Sequence, residues 1–207
     1  MGLVCGVGYN DLGYSVSKSA IVDGKFKQVW RCPFYFRWKD ILRRTSKDYH
    51  RSAYAECRIA EEWESAYEFK LWMESQQWEG NHLDKDILVK GNKVYGPDTC
   101  SFIPAYVNTA LLLNPMKRTR LPVGVKKEGE RYRADINLSG SKLYLGNFKC
   151  PEQAHNKWQH AKVEQIVKVL SDYKTELCFR EDVLEALIHR VDTLRYEISS
   201  GVETKSL

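Results

Sequence analysis

Residues 131–148 constrain the fold more than any other part of the chain. In "RYRADINL", Tyr132, Ala134, Ile136 and Leu138 fall on one face and Arg131, Arg133, Asp135 and Asn137 on the other, the period-two pattern of a half-buried strand. The next run, "SKLYLGNF", places Leu143 and Leu145 inward and Lys142 and Tyr144 outward, and "LSGS" between them supplies a glycine-containing hairpin turn. Pro151 then stands at a first-turn position and opens a helix carrying Ala154, Trp158 and Ala161. That helix covers the apolar side of the sheet. The other side is expected to present Lys126, Lys127, Arg131, Arg133, Lys142 and Tyr144. A twisted sheet of this size enters a major groove, where cations neutralise phosphates and arginine reaches guanine edges. Outer charges that serve only to solvate a sheet give the same pattern, and both readings stay open at this point.

Charge is concentrated in the same region. The chain of 207 residues carries a net charge of +5, and residues 117–149 hold nine Lys and Arg against Glu128, Glu130 and Asp135, a local balance of +6. That balance accounts for the whole net charge and suits a phosphate-binding face. With 43% hydrophobic and 12% aromatic residues the chain can bury a core, and its length fits two small domains. Six cysteines lie far apart with no C-x-x-C pair or Cys/His knuckle, so no zinc is expected. No window reaches membrane-spanning length and the start has no signal-peptide pattern. A protein soluble in a reducing cytoplasm is the expectation. The glycine-rich "MGLVCGVG" lacks the strand and helix of a nucleotide-binding loop.

Ahead of the sheet the chain is dense in aromatics and reads as mostly helical. "CPFYFRWKDILRR" sets Phe34, Trp38, Ile41 and Leu42 on one helical stripe, and "EEWESAYEFKLWMESQ" sets Ala66, Phe69, Trp72 and Met73 on another behind an acidic first turn. Both stripes read as core. A polar, basic loop between them contains Tyr49, His50, Arg51 and Tyr54 and is a candidate for backbone phosphate contact. Residues 78–112 concentrate Asp84, Asp86, Asn92, Asp98 and Asn108 around the turn "YGPDTC". These side chains serve as turn and cap residues in one reading. In the other, Asp84 and Asn108 converge on a Mg²⁺ ion, which takes few protein oxygens and several waters. His82 lies two residues before Asp84, hence on the same strand face, and is the available general base. Near the end, Leu184, Leu187, Ile188, Val191, Leu194 and Ile198 form a helical stripe that packs on its own domain or pairs with a second copy as a homodimer. The tail "GVETKSL" is expected to be disordered.

Two resemblances extend this reading. "VGV…YRADI…YLGNF…PEQAHNKW" resembles the three-strand-plus-helix DNA-binding domain of plant Apetala/ethylene-response factors through Gly124, Val125, Tyr132, Ala134, Ile136, Leu145, Gly146, Phe148 and Ala154. In that family outward Arg, Trp and Glu residues of the sheet contact bases and phosphates. Here Arg131, Asp135, Lys142 and Tyr144 fall at or near such positions, Tyr144 in place of a Trp and Asp135 in place of a Glu. The pattern "LDKDIL…GNKVY.P.TC.F.P..VN", with "CGVGYND" and "PFYFRWKDILRR", resembles phage HNH endonucleases of the homing type. That likeness implies a small ββα segment with Asp84 and Asn108 as metal ligands. The position of the catalytic His holds Lys85, which at its ordinary pKa is protonated at neutral pH and takes no proton from water. Lys85 is expected to stay charged and touch phosphate.

The expected architecture is α+β. A helix-rich HNH-like domain spans residues 1–115, a three-stranded antiparallel sheet packed on a helix spans 116–172, and a C-terminal helix with its tail spans 173–207. The expected function is a phage DNA-binding protein that binds double-stranded DNA through the sheet and carries a degenerate HNH site. A Mg²⁺-dependent endonuclease, and an adaptor or inhibitor that holds a host protein, are the alternatives.

Overall fold

In the computed structural model, residues 2–46, 54, 56–113, 120–138 and 140–207 are described. Tyr49, His50 and Arg51 of the expected phosphate-touching loop, and the expected domain boundary at residues 115 and 116, lie outside the described residues. The chain is a mixture of helices and strands that forms two compact units, one of Met1–Glu79 and Leu83–Phe102, the other of Gly80–His82 and Ile103–Leu207. Among the described residues no helix is long and apolar enough to cross a membrane.

The first unit opens with a tight loop and then a hairpin of strands β1 (Ser17–Val22) and β2 (Lys25–Arg31). A mostly helical first half was the expectation, and the hairpin corrects it. Its cause is local: Asp23 and Gly24 both adopt positive φ, 53° and 72°, the geometry of a two-residue turn between strands. Helix α1 (Pro33–Thr45) follows, with Pro33 at its first turn and the expected stripe of Trp38, Ile41 and Leu42 buried. A 3-10 turn at Glu61–Glu64 buries Trp63, whose carbonyl accepts 2.7 Å from Trp38 Nε1. Helix α2 (Ala66–Glu74) therefore starts later than the acidic run suggested. Ser65 caps it by accepting from Glu68 N–H, and Asp11 accepts from Ser65 Oγ and Tyr67 N–H. The "GYND" motif thus anchors a helix end. Its first residue, Gly8, packs so closely that a Cβ there would lie 2.5 Å from Trp38. Trp63, Phe69 and Met73 complete the core with Tyr95, Cys100 and Phe102.

Strand β3 (Arg58–Ile59) pairs parallel with β5 (Val94–Tyr95), and β4 (His82–Asp84) pairs with β6 (Ser101–Ile103). Helix α3 (Ala105–Leu111) follows β6.

In the second unit β7 (Val125–Glu128), β8 (Arg131–Leu138) and β9 (Ser141–Phe148) form the expected antiparallel sheet in the order β7-β8-β9. Helix α4 (Pro151–Tyr173) covers one face, burying Ala154 and Trp158 against Val125, Ala134 and Ile136. The register slips between Ala134 and Asp135, so that Gly146 pairs with Ala134 and Tyr144 with Asp135 while Leu145 is the extra residue. Leu145 packs inward. Leu143 lies on the helix-facing side yet stays 48% exposed, because it borders a groove of about 700 Å³ between the sheet, α3 and α4. Helix α5 (Glu181–Ser200) packs along α4 and buries Leu184, Leu187, Val191 and Leu194 within the unit.

The tail departs from expectation. Thr204 is fully buried: its N–H donates to His155 Nε2, and its hydroxyl accepts from Gln159 and donates to Glu197. His155 Nδ1 lies 2.9 Å from the Val123 carbonyl, the partner for a donating Nδ1 while Nε2 accepts from Thr204. Three polar side chains from two helices hold the strand-like end in place, which tail composition does not reveal.

Sheet and helix meet at Gly124, which has φ +81° and where a Cβ would lie 2.1 Å from Trp158 Cδ1. Gly124→Ala is therefore expected to cost at least about 3 kcal/mol, strain and overpacking together. Gly129→Ala, in a turn with open space around it, should cost about 1 kcal/mol. Urea unfolding of the two variants checks this, and equal costs would contradict the packing described.

Candidate nucleic-acid interface

The register settles which residues share the face away from α4. Lys126 pairs with Arg133, Glu128 with Arg131, Asp135 with Tyr144 and Asn137 with Lys142. Lys127 pairs with Tyr132, on the helix-facing side. The expectation that Lys126 and Lys127 act together on the outer face is corrected on this point, since adjacent strand residues alternate. Lys127 is exposed at the margin of the sheet. Glu128 and Asn147, unremarked in the sequence, do belong to the outer face; the alternation that excludes Lys127 identifies Glu128.

Asp135 organises that face. Its side chain is only 9% exposed and accepts from Arg133 Nε at 2.8 Å and Lys126 Nζ at 3.3 Å. Partial burial pushes the carboxyl up, but the bonds from Arg133 and Lys126 outweigh it and hold the group below the usual carboxylate range. Arg133 also lies with its guanidinium carbon 4.9 Å from the Tyr144 ring centroid and 3.7 Å from Glu128 through Nη1. Arg131 donates to the Asn147 carbonyl at 3.1 Å, and Asn147 donates to Glu128 at 3.3 Å. Lys142 is exposed outside these pairs. Four cations, Lys126, Arg131, Arg133 and Lys142, thus stand against Glu128 and Asp135, a balance of +2. Arg133 is hydrogen-bonded to Asp135 through Nε and lies near Glu128 through Nη1, so Asp135, Tyr144 and Glu128 together fix the plane of its guanidinium. Such preorganisation lowers the ordering cost of each contact with a polyanion.

The second cluster lies at the end of β4. Asp84 Oδ1 accepts from the N–H groups of Asp86 and Ile87, both at 2.7 Å, closing a turn and leaving Oδ2 outside these bonds. Burial raises the Asp84 pKa, against the pull of those two N–H groups, and the charge of Asp86 adds to the rise. Lys85 points inward: Nζ donates to both Asp86 oxygens at 2.7 and 2.8 Å and to the Asn92 carbonyl at 2.6 Å. Its side chain is buried above Tyr95, so the expected phosphate contact is corrected: the ammonium finds its acceptors inside the fold. Asn92 straps the same loop, donating to the Lys85 and Val94 carbonyls and accepting from Val94 N–H. Three such bonds, each worth about 1 kcal/mol, fix the position that carries Lys85.

His82 is exposed on β4. Asp84 belongs to the first unit and Asn108, half-buried on α3, to the second. Asp98 is exposed in the turn after Pro97. Among the described residues no group of three or more His, Cys, Asp or Glu side chains is arranged to hold a metal. A Mg²⁺ ion needs fewer protein oxygens than that, and Oδ2 of Asp84 lies outside the two turn bonds. Helix α3, which carries Asn108, is tied to α4 by Lys162, whose Nζ donates to the Ala110 carbonyl at 2.8 Å and to Gln165 at 3.0 Å.

Lys162 is 3% exposed, and burial lowers its pKa from 10.5 to about 8. The folded state therefore prefers the neutral amine. Below pH 8 both states are charged and the full desolvation cost is present; it is relieved as pH rises from about 8 towards 10.5. The unfolding free energy of the native chain minus that of Lys162→Met is expected to rise by up to about 3 kcal/mol across this window. Denaturant titrations at several pH values measure it, and a flat difference would contradict the burial of a titrating amine.

Comparison of the chain with family models, with curated proteins and with solved structures gives no match to any of the three.

Proposed function

We propose that the protein binds double-stranded DNA through the outer face of the β7-β8-β9 sheet, on a chain whose first half resembles phage HNH endonucleases of the homing type. One observation carries this reading: the face of the sheet away from α4 bears four cations, three of which, Lys126, Arg131 and Arg133, are held in place by Asp135, Tyr144 and Asn147. Cations that served solvation alone would need no buried carboxylate between them. Arg131 and Lys142 supply phosphate contacts and Arg133 a planar donor for a base edge. The HNH likeness is supported by the pairing of β4 with β6 and by α3 directly after β6, with the loop strapped by Asn92 and the short β5 between the two paired strands. Its catalytic site is read as degenerate because Lys85, at the position of the general base, is a buried cation bound to Asp86.

A second reading, a Mg²⁺-dependent endonuclease, is favoured by one observation: Asp84 keeps an oxygen outside its turn bonds, and His82 is exposed two residues away on the same strand face. In that reading Asp84 and Asn108 hold the ion, which supplies Lewis-acid stabilisation of a leaving oxygen, and His82 takes the proton from water.

Binding of a labelled duplex at several salt concentrations tests the first reading. Arg131→Gln with Lys142→Gln is expected to weaken binding and to reduce the slope of log affinity against log salt by about two units, at roughly 0.9 per phosphate contact. An unchanged affinity and slope would defeat it. Incubation of supercoiled plasmid with Mg²⁺ or EDTA separates the second reading: nicking that needs Mg²⁺ and disappears in Asp84→Ala supports it, and intact plasmid in all lanes rejects it.

A further inference from the structure

The β1-β2 hairpin is built against the usual logic of burial. Every residue of β2 and five of the six in β1 are exposed. Ile21 and Phe26 face each other across the ribbon, next to the turn, and are 72% and 79% exposed. Val29 and Trp30 are exposed as well. A two-stranded hairpin without a covered face is marginally stable in water, and large apolar groups held in solvent at its tip add nothing to that stability. The pattern makes sense when the ribbon is a tool for contact.

Charge indicates the partner. Residues 17–31 carry Lys18, Lys25, Lys27 and Arg31 against Asp23, a balance of +3 in 15 residues. Lys18 lies over Trp30 at 5.7 Å, Lys27 pairs with Asp23 at 3.1 Å in full exposure, and Arg31 stacks on Phe36 at 3.7 Å. By the register Ala20, Val22, Lys25 and Lys27 share one face, while Ile21, Phe26, Ser19 and Gln28 share the other; beyond an irregularity between Lys18 and Ser19, Lys18 pairs with Trp30 and follows Ala20 and Val22 by alternation along β1. One face is thus cationic and the other carries an apolar pair at its tip.

We infer that the β1-β2 ribbon is a second DNA-contacting element, with its lysine face along the phosphates of a duplex groove and the Ile21–Phe26 pair as an apolar wedge at a base step. Two strands and their side chains match the width of a groove, and apolar side chains presented at a tip unstack base steps and bend the duplex. The inference deepens the DNA-binding reading and rests on it, but the residues are wholly separate from those of the sheet.

The test uses the full chain and a labelled duplex of mixed sequence, with circular dichroism and sedimentation on each variant. Lys18→Gln, Lys25→Gln and Lys27→Gln together are expected to weaken binding and reduce the salt slope by up to about three units. Ile21→Ser with Phe26→Ser is expected to weaken binding at an unchanged slope and to abolish bending, read as energy transfer between dyes at the duplex ends. If both ribbon variants keep native-like spectra and wild-type binding, slope and bending, the inference is overturned. It is equally overturned if the serine variant changes only the sedimenting mass, which would make the occupant a second copy of this chain. Loss of binding in the ribbon variants but not in Arg131→Gln with Lys142→Gln would uphold the ribbon and reject the sheet, and the reverse result would do the opposite.

Discussion

The contact between Gly124 and the Trp158 indole is the constraint on which the second unit depends. Without a Cβ at Gly124, the start of β7 lies directly on the ring, and the ring in turn stacks on His155 at 5.4 Å and lies under Lys162 at 5.6 Å. His155 then fixes Thr204 of the tail, and Lys162 fixes the end of α3. Sheet, tail and α3 are therefore located by one side chain of α4. With that face of the sheet committed to packing, its other face is free to be polar, and the functional reading concerns what the polar face does.

On that face three of the four cations, Lys126, Arg131 and Arg133, are held in place without being fully neutralised. Asp135 engages Lys126 and Arg133, and its lowered pKa means that it stays ionised across the neutral range, so the arrangement persists there. At the end of β4 the same chemistry runs the other way. Lys85 spends all of its donors on Asp86 and the Asn92 carbonyl, and the fold gains a strapped loop while the position loses any role as a base. Similar residue types thus line an outer face in one place and serve internal structure in the other. Burial decides which.

Much of the fold was legible in the sequence because it follows periodicity. The alternation in "RYRADINL" gave β8 and its faces, the stripe of Trp38, Ile41 and Leu42 gave α1, and Pro151 marked the start of α4. The misses have physical causes. The Asp23-Gly24 signal for a hairpin was present but lay among aromatic residues that suggested helix. Lys127 was placed on the wrong face by grouping charges rather than counting positions, and the slip at Ala134 and Asp135 cannot be read from alternation that looks unbroken. Thr204 and Lys85 depend on partners that the fold brings to them: His155, Gln159 and Glu197 for one, Asp86 and the Asn92 carbonyl for the other.

The most direct measurement is a map of backbone amide shifts of the full chain titrated with duplex DNA. The largest changes are expected on β7, β8 and β9 at Lys126, Arg131, Arg133, Lys142 and Tyr144, with the helix-facing Ala134 and Ile136 changing less. Changes confined to α4, α5 and the tail, or none at saturating DNA, would contradict DNA binding through the sheet.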